Sequence, residues 1–222
     1  MISTVNALRE ITLCDNGFVY AQAGVTCAKL AKFCLKNGLT GADFLAGIPG
    51  TVGGALAMNA GAFGSEIWSF VTLAEMINRQ GELINRKTEE FDVHYRRVSQ
   101  FNNEWFAAAR FQFNTELEQK SSNIKKLLQQ RNASQPIGLP SCGSVFKNPK
   151  GQYAAKLIEA AGLKGYCHGN AWVSEKHANF IISNAQTSSK DIEGLVELIQ
   201  QTVKQKFDVT LETEVRILGD EL

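Results

Sequence analysis

Six of the chain's 19 glycines fall between Gly47 and Gly64, in a run that reads Gly-Ile-Pro-Gly-Thr-Val-Gly-Gly-Ala-Leu-Ala-Met-Asn-Ala-Gly-Ala-Phe-Gly. No residue of this run is charged. A flexible linker is also rich in glycine, but it carries serine and polar residues rather than Ile48, Val52, Leu56 and Met58. Glycine removes the side chain where something must touch the backbone, and it permits positive φ. The run therefore predicts packed backbone with one surface pressed close to a neighbour. A tight turn inside a core satisfies that description. So does a surface that receives an anionic group such as a pyrophosphate, because successive N–H groups can form a concave nest. Neither Gly-x-Gly-x-x-Gly nor Gly-Lys-Ser/Thr occurs in the run, which excludes the Rossmann fingerprint and the Walker loop.

The bulk properties narrow the class. A length of 222 residues suits one large domain or two small ones, and 44% hydrophobic residues suffice for a real core. A net charge of +1 without runs of like charge offers no footprint for nucleic acid. No stretch reaches the apolar length of a membrane span, so no membrane insertion is expected. The first ten residues lack the long apolar core of a signal peptide. Five cysteines (Cys14, Cys27, Cys34, Cys142 and Cys167) show no paired spacing and no Cys-x-x-Cys. Neither a metal site nor a redox pair is indicated, and reduced thiols in a cytoplasmic protein are the simplest account.

Periodicity and punctuation predict a mixed first half. Residues 17–23 read as a strand. Thr26 caps a helix whose apolar face includes Leu30, Phe33 and Cys34, and Gly38 stops it. After the glycine-rich run, Phe70 to Asn78 is strand-like, Gln80-Gly81 makes a turn, and Leu83-Ile84 lies in the returning strand of a hairpin. Glu104 to Phe113 is a further strand. Residues 115–135 are polar and helix-prone, and Lys125, Lys126 and Arg131 read as a solvated face. Pro136, Gly138 and Pro140 then break the helix. Beyond them come Ser144-Val145-Phe146, leading from a turn into a strand, and a helix from Gln152 to Ala161 ended by Gly162. A strand follows around Phe180-Ile181-Ile182. A long helix over about Asp191–Lys206 has the stripe Ile192, Leu195, Val196, Ile199 and Val203, with Ser188 or Ser189 at its N-cap. A last strand, Val209 to Leu218, is expected to place Leu211, Thr213, Val215 and Ile217 on one face and Glu212, Glu214 and Arg216 on the other.

Three further motifs carry chemistry-bearing residues. Ser-Cys-Gly-Ser-Val-Phe-Lys-Asn-Pro occupies 141–149; no Gly-x-Ser-x-Gly elbow surrounds Ser144. Phe91-Asp92-Val93-His94-Tyr95-Arg96 includes an arginine that, taken alone, reads as exposed beside Arg97. Leu211-Glu212-Thr213-Glu214-Val215-Arg216 reads, taken alone, as a polar strand face in which Arg216 compensates the acids. His94, His168 and His177 read as surface or core-edge residues.

In its order of residues the glycine-rich run resembles the flavin-binding signature of the UDP-N-acetylenolpyruvoylglucosamine reductase (MurB) family. Gly-Ser-x-Phe-Lys-Asn-Pro resembles the segment that carries that family's proton-donating serine, here Ser144. Tyr95-Arg96 resembles its Tyr-Arg motif, although the serine expected at position 98 is Val98 and the next serine is Ser99. Glu-Val-Arg at 214–216 resembles its C-terminal catalytic segment, which maps the glutamate onto Glu214. Ser174-Glu175-Lys176-His177-Ala178-Asn179-Phe180-Ile181 is similar to a part of its substrate-binding domain, while Asn170-Ala171-Trp172 departs from the commoner Gly-Ala-Gln.

The resemblance implies an α+β chain: a partial FAD-binding domain of the PCMH/vanillyl-alcohol-oxidase type, then a smaller α+β substrate domain. The expected boundaries are 1–115, a helical junction at 116–140, and 141–222. It implies FAD and NADPH as cofactors and a UDP-sugar, UDP-N-acetylglucosamine enolpyruvate, as substrate, reduced to UDP-N-acetylmuramate in peptidoglycan synthesis; no obligate protein partner is implied. Arg96, Ser144 and Glu214 would be catalytic. Gly47, Ile48, Pro49, Gly50, Thr51, Val52, Gly53, Gly54, Asn59, Ala60 and Gly61 would hold the flavin cofactor, and Tyr95, Lys147 and Asn148 the substrate. Members of the family also carry an upstream βα unit with a Gly-x-Gly-Ser-Asn loop, a motif this sequence lacks, so an N-terminal subdomain is expected to be missing. Two rival readings follow: a non-catalytic remnant that binds UDP-sugar at best, and a flavoprotein oxidase with a similar FAD domain. The Ser144 and Glu214 segments argue against the oxidase.

Overall fold

The computed structural model describes residue 4 and residues 6–99, 101–115 and 123–219. Within the first half lie strands β1 (Ile11–Leu13) and β2 (Phe18–Gln22), helices α1 (Cys27–Lys36) and α2 (Val52–Met58), and the short pair β3 (Gly61–Ala62) and β4 (Ser65–Glu66). They continue with β5 (Val71–Asn78), β6 (Leu83–Lys87), the short pair β7 (Val93–His94) and β8 (Arg97–Val98), β9 (Glu104–Gln112) and α3 (Ile124–Ser134). The second half holds α4 (Ala154–Ala160), β10 (Cys167–His168), β11 (Ala171–Val173), β12 (Ile181–Ile182) and α5 (Ser189–Phe207). The chain divides into two compact units, Met1–Arg131 and Asn132–Leu222.

The first unit is built on an antiparallel sheet in the order β1-β2-β9-β5-β6. Its inner face follows the strand period of two: Val19 and Ala21 of β2, Ala109 and Phe111 of β9, and Ala74 and Met76 of β5 are buried. Helix α1 packs there through Leu30, Ala31 and Cys34, and α2 through Val52, Ala55 and Leu56. Small residues set how closely α2 can lie. A Cβ on Gly53 would stand 2.8 Å from the Cβ of Ala23. The ends of α1 follow the sequence: the Thr26 hydroxyl accepts from Lys29 N at 3.2 Å, and Gly38 takes positive φ just past the end. At the β5–β6 turn, Asn78 Oδ1 accepts from Gln80 N and Glu82 N, and Gly81 supplies φ +83°. Part of the expected helix over 115–135 lies outside the described residues; the rest is α3.

The second unit packs α4 and α5 with the antiparallel sheet β10-β11-β12 around Val145, Phe146, Ile158, Val173, Ile181, Leu195, Ile199 and Leu211. Helix α5 opens on a capping box, in which Ser188 Oγ accepts from Asp191 N and Asp191 returns the bond from Ser188 N.

Two expectations are corrected. Residues 209–218 do not form a strand, and 144–146 do not lead into one. The two segments meet at a single bridge, Phe146 opposite Thr213. Lys147 N donates to Glu212 O, and Glu214 N to Val145 O. The pairing ends there because Asn148 turns away to accept from Ala154 N at the start of α4, and Pro149 has no N–H to continue a ladder. The outward turn leaves Ile217 62% exposed, although it was expected on the apolar face. Within the glycine-rich run, Thr51 caps α2 by accepting from Gly54 N.

Candidate active site

The glycines between Gly47 and Gly64 divide by what surrounds them. Gly47 lies under the Phe63 ring, Gly53 against Ala23, and Gly61 against Ser65 O and the Glu66 side chain, so a Cβ at any of the three would collide. Gly64 takes φ +84°. Gly50 and Gly54 have neither reason. Neither takes a left-handed φ, a Cβ on Gly50 would meet nothing within 4 Å, and one on Gly54 only Thr51 Oγ1 at 3.8 Å. Both are exposed. Nothing within the described fold requires glycine at these two positions, and their surface is bare. The N–H groups divide in the same way. Val52 N donates to Val25 O, Gly53 N to Ala23 O, and Gly54 N to the Thr51 hydroxyl. These three donors are spent inside the fold, so the nest is smaller than the run suggests. Among the described residues, the N–H groups of Gly50 and Thr51 make no hydrogen bond. Two open donors beside two bare Cα positions, with no charge, fit the phosphates and ring edge of a flavin dinucleotide. Ile48 packs on the core below them, and Pro49 is exposed.

At the other end of the run, Asn59 takes left-handed φ (+42°) and is 2% exposed. Its side chain is committed within the fold: Nδ2 donates to Glu66 Oε2 (2.8 Å) and His94 O (3.3 Å), and Oδ1 accepts from Trp68 N (3.4 Å). Asn59 therefore fixes the shape of the run rather than reaching out from it. The β7–β8 hairpin answers these bonds. Arg96, at its tip with φ +53°, donates from Nη1 to Asn59 O (3.1 Å) and from Nη2 to Gly61 O (3.0 Å). Ala60, between those two carbonyls, closes α2 by donating to Ala55 O. Tyr95 is 46% exposed, and its ring lies 4.9 Å from the Arg96 guanidinium carbon. Arg96 and the glycine-rich run are thus brought together in the first unit.

The second unit brings together Ser144 and Glu214. The residue after Ser144 accepts the Glu214 N–H (2.8 Å) through its carbonyl. Ser144 is partly exposed, and its hydroxyl has no partner among the described residues. Glu214 is partly buried. Lys147 pairs through Nζ with Glu212, and Asn148 Oδ1 is occupied in capping α4. Cys142, two residues before Ser144, is an exposed residue with a free thiol.

One residue that holds this segment was not singled out in the sequence. Asn179 is 4% exposed, and both ends of its amide hold the main chain of Phe146. The signal was present: a lone asparagine inside Ala178-Asn179-Phe180-Ile181-Ile182 implies a buried amide that must be paired. Among the described residues, no group of three His, Cys, Asp or Glu side chains is placed to hold a metal ion.

Residues 1–86 match the FAD binding domain family, and residues 135–218 match the UDP-N-acetylenolpyruvoylglucosamine reductase C-terminal domain. An FAD-binding domain followed by a reductase C-terminal domain defines an FAD-dependent oxidoreductase. A UDP-N-acetylenolpyruvoylglucosamine reductase of Coxiella burnetii (strain RSA 493 / Nine Mile phase I) is 49% identical over 239 residues, covering 99% of this chain and 76% of that protein. One from Alkalilimnicola ehrlichii is 53% identical over 203 residues, covering 91% of this chain and 68% of its own. The crystal structure of MurB from Thermus caldophilus superposes with a TM-score of 0.79 at 30% identity, over 90% of this chain and 72% of that one. The chain belongs to the UDP-N-acetylenolpyruvoylglucosamine reductase family.

Proposed function

We propose that the chain reduces the enolpyruvyl ether of UDP-N-acetylglucosamine to UDP-N-acetylmuramate, with FAD and NADPH. The product serves peptidoglycan synthesis, and through it cell-wall biogenesis, cell shape and division. The observation that carries the reading is the main-chain bond between Val145 and Glu214, which sets a serine with an uncommitted hydroxyl beside a glutamate in the domain matched to this family. The FAD-binding portion is assigned to 1–115, the junction to 116–140 and the substrate domain to 141–222. All five cysteines are free, which suits a reducing cytoplasm.

Bound FAD, once reduced by NADPH, would supply a hydride for the terminal alkene carbon. The chain's own groups manage the charge and the proton. Gly50, Thr51 and Gly54 give the cofactor its bare surface and open donors, with Gly47, Ile48, Pro49, Val52, Gly53, Asn59, Ala60 and Gly61 holding that surface in shape. Arg96, its guanidinium plane fixed by two carbonyls, faces the negative charge that grows toward the substrate carboxylate. A preorganised donor in that role is worth about 3–4 kcal/mol of transition-state stabilisation. Ser144 Oγ–H delivers the proton to the adjacent carbon; a weak acid suffices because the acceptor is a strong base and the proton is aligned. Glu214 polarises the site and orders its hydrogen bonds. Tyr95, Lys147 and Asn148 contact the UDP-sugar.

The test is to load the purified chain with FAD and follow NADPH consumption with and without the enolpyruvyl substrate. The reading expects substrate-dependent consumption. Protein that takes up no flavin would support the remnant reading. Flavin reduction that discharges to oxygen alone would support the oxidase.

A further inference from the structure

We infer that Asn179 is a positioning residue for the proton-transfer step, holding Ser144 and Glu214 in register by taking the place of a strand beside residues 145–147. The inference rests on the reductase reading above. Residues 145–147 are bonded on both sides. On one side Lys147 N donates to Glu212 O (2.9 Å), and Val145 O accepts from Glu214 N (2.8 Å) and Val215 N (3.4 Å). On the other side no strand is present among the described residues, and Asn179 supplies all the bonds. Its main-chain oxygen accepts from Val145 N (2.9 Å), its Oδ1 accepts from Phe146 N (3.0 Å), and its Nδ2 donates to Phe146 O (2.8 Å). One asparagine thus satisfies three main-chain groups of the two residues that follow Ser144.

Asn179 is itself held. Its N–H donates to His177 Nδ1 (3.3 Å), and Ser174 N donates to Phe180 O (2.9 Å). The Ser174 hydroxyl, on a residue 3% exposed, accepts from Lys176 N and His177 N. The Ser174–Phe180 segment is therefore a rigid support under the serine, and Asn179 is its point of contact. A buried amide with both ends paired is tolerated; a substitution that removes one end leaves Phe146 O or N unsatisfied in the core. The chain then regains its bonds only by shifting residues 145–147. Ser144 and Glu214 shift with them, because Val145 is joined to both.

The experiment uses the FAD-loaded full chain, with Asn179→Asp and Asn179→Ala and with Ser144→Ala for comparison. Asn179→Asp keeps the acceptor for Phe146 N but turns a carboxylate oxygen toward Phe146 O. Flavin reduction by NADPH, counted per bound flavin, is expected to stay within about twofold of the parent. Reoxidation by the enolpyruvyl substrate should fall about 100-fold, as for a catalytic group displaced by about 1 Å. The loss should fall mainly on kcat. Amide exchange at Phe146 and Glu214, measured on the protein without ligands, should accelerate at least about tenfold, since each tenfold is about 1.4 kcal/mol of lost protection. Equal loss in both half-reactions, or reoxidation per bound flavin unchanged in both variants, would overturn the inference. Should the parent chain fail to reoxidise with substrate, the reductase reading falls, and the exchange measurement decides the positioning by itself: unchanged exchange at Phe146 and Glu214 would overturn it. If Asn179→Ala does not fold, Asn179→Asp carries both measurements.

Discussion

Gly50 and Gly53 stand three residues apart in opposite surroundings, one open and one crowded, which makes them separable by substitution. Gly53→Ala places a methyl group 2.8 Å from the Ala23 Cβ, in contact that both elements would have to relieve. A loss of about 1–3 kcal/mol of stability is expected from chemical denaturation. Gly50→Ala meets open space and an ordinary φ, so stability should be unchanged or rise by about 0.4–1 kcal/mol, while flavin affinity falls. Equal flavin affinity in Gly50→Ala and the parent would remove Gly50 from the cofactor surface. Arg96 poses a similar contrast. Lysine offers one ammonium where the guanidinium reaches Asn59 O and Gly61 O together. Arg96→Lys should slow substrate-dependent reoxidation, counted per bound flavin, by about 100-fold or more. A parent-like rate would show that the fixed plane of the guanidinium is not needed.

Helix α5 tests local signals in their plainest form. Its capping box joins Ser188 and Asp191, and the backbone bond from Ser188 is the main cause that holds the Asp191 carboxyl below its ordinary pKa. Ser188→Ala should cost about 1 kcal/mol, read as a lower melting temperature. The cap, the apolar stripe of Leu195, Val196, Ile199 and Val203, and the turn at Asn78 and Gly81 were legible because each is written in residues a few positions apart. The closing segment was not. Leu211 to Ile217 alternates well enough for a strand, but a strand needs a partner as long as itself, and the partner runs only from Val145 to Lys147 before Asn148 and Pro149 end it. The glycine-rich run was legible as packed backbone. Which of its N–H groups point inward depended on Ala23 and Val25, in the turn between β2 and α1. The serine, arginine and glutamate were singled out only through whole motifs. In isolation each has an ordinary structural reading, and nothing local announces that Val145 joins two of them.

For the molecule as a whole, the buried segment under Ser144 makes stability depend on pH. Burial is the main cause that pushes His177 below its ordinary value of 6.5, with Lys164 adding to it against a backbone hydrogen bond. Its Nδ1 accepts from Asn179 N, which requires the neutral ring with its proton on Nε2. Because the folded-state pKa is depressed, the unfolded chain binds more protons just below pH 6.5. This contribution is therefore complete above about pH 6.5 and is lost as pH falls through the folded value. His177→Gln should flatten the fall in melting temperature on acidification over that range; an identical slope would assign the pH dependence to other groups. The proposed function draws Arg96 and the flavin surface from one unit and Ser144 and Glu214 from the other. Anaerobic reoxidation engages both at once. The FAD-loaded chain is bleached with one equivalent of NADPH, the enolpyruvyl substrate is added without oxygen, and the flavin absorbance is followed. Full return of the colour, with one equivalent of UDP-N-acetylmuramate formed, is the predicted result. A flavin that stays bleached until air is admitted would contradict it.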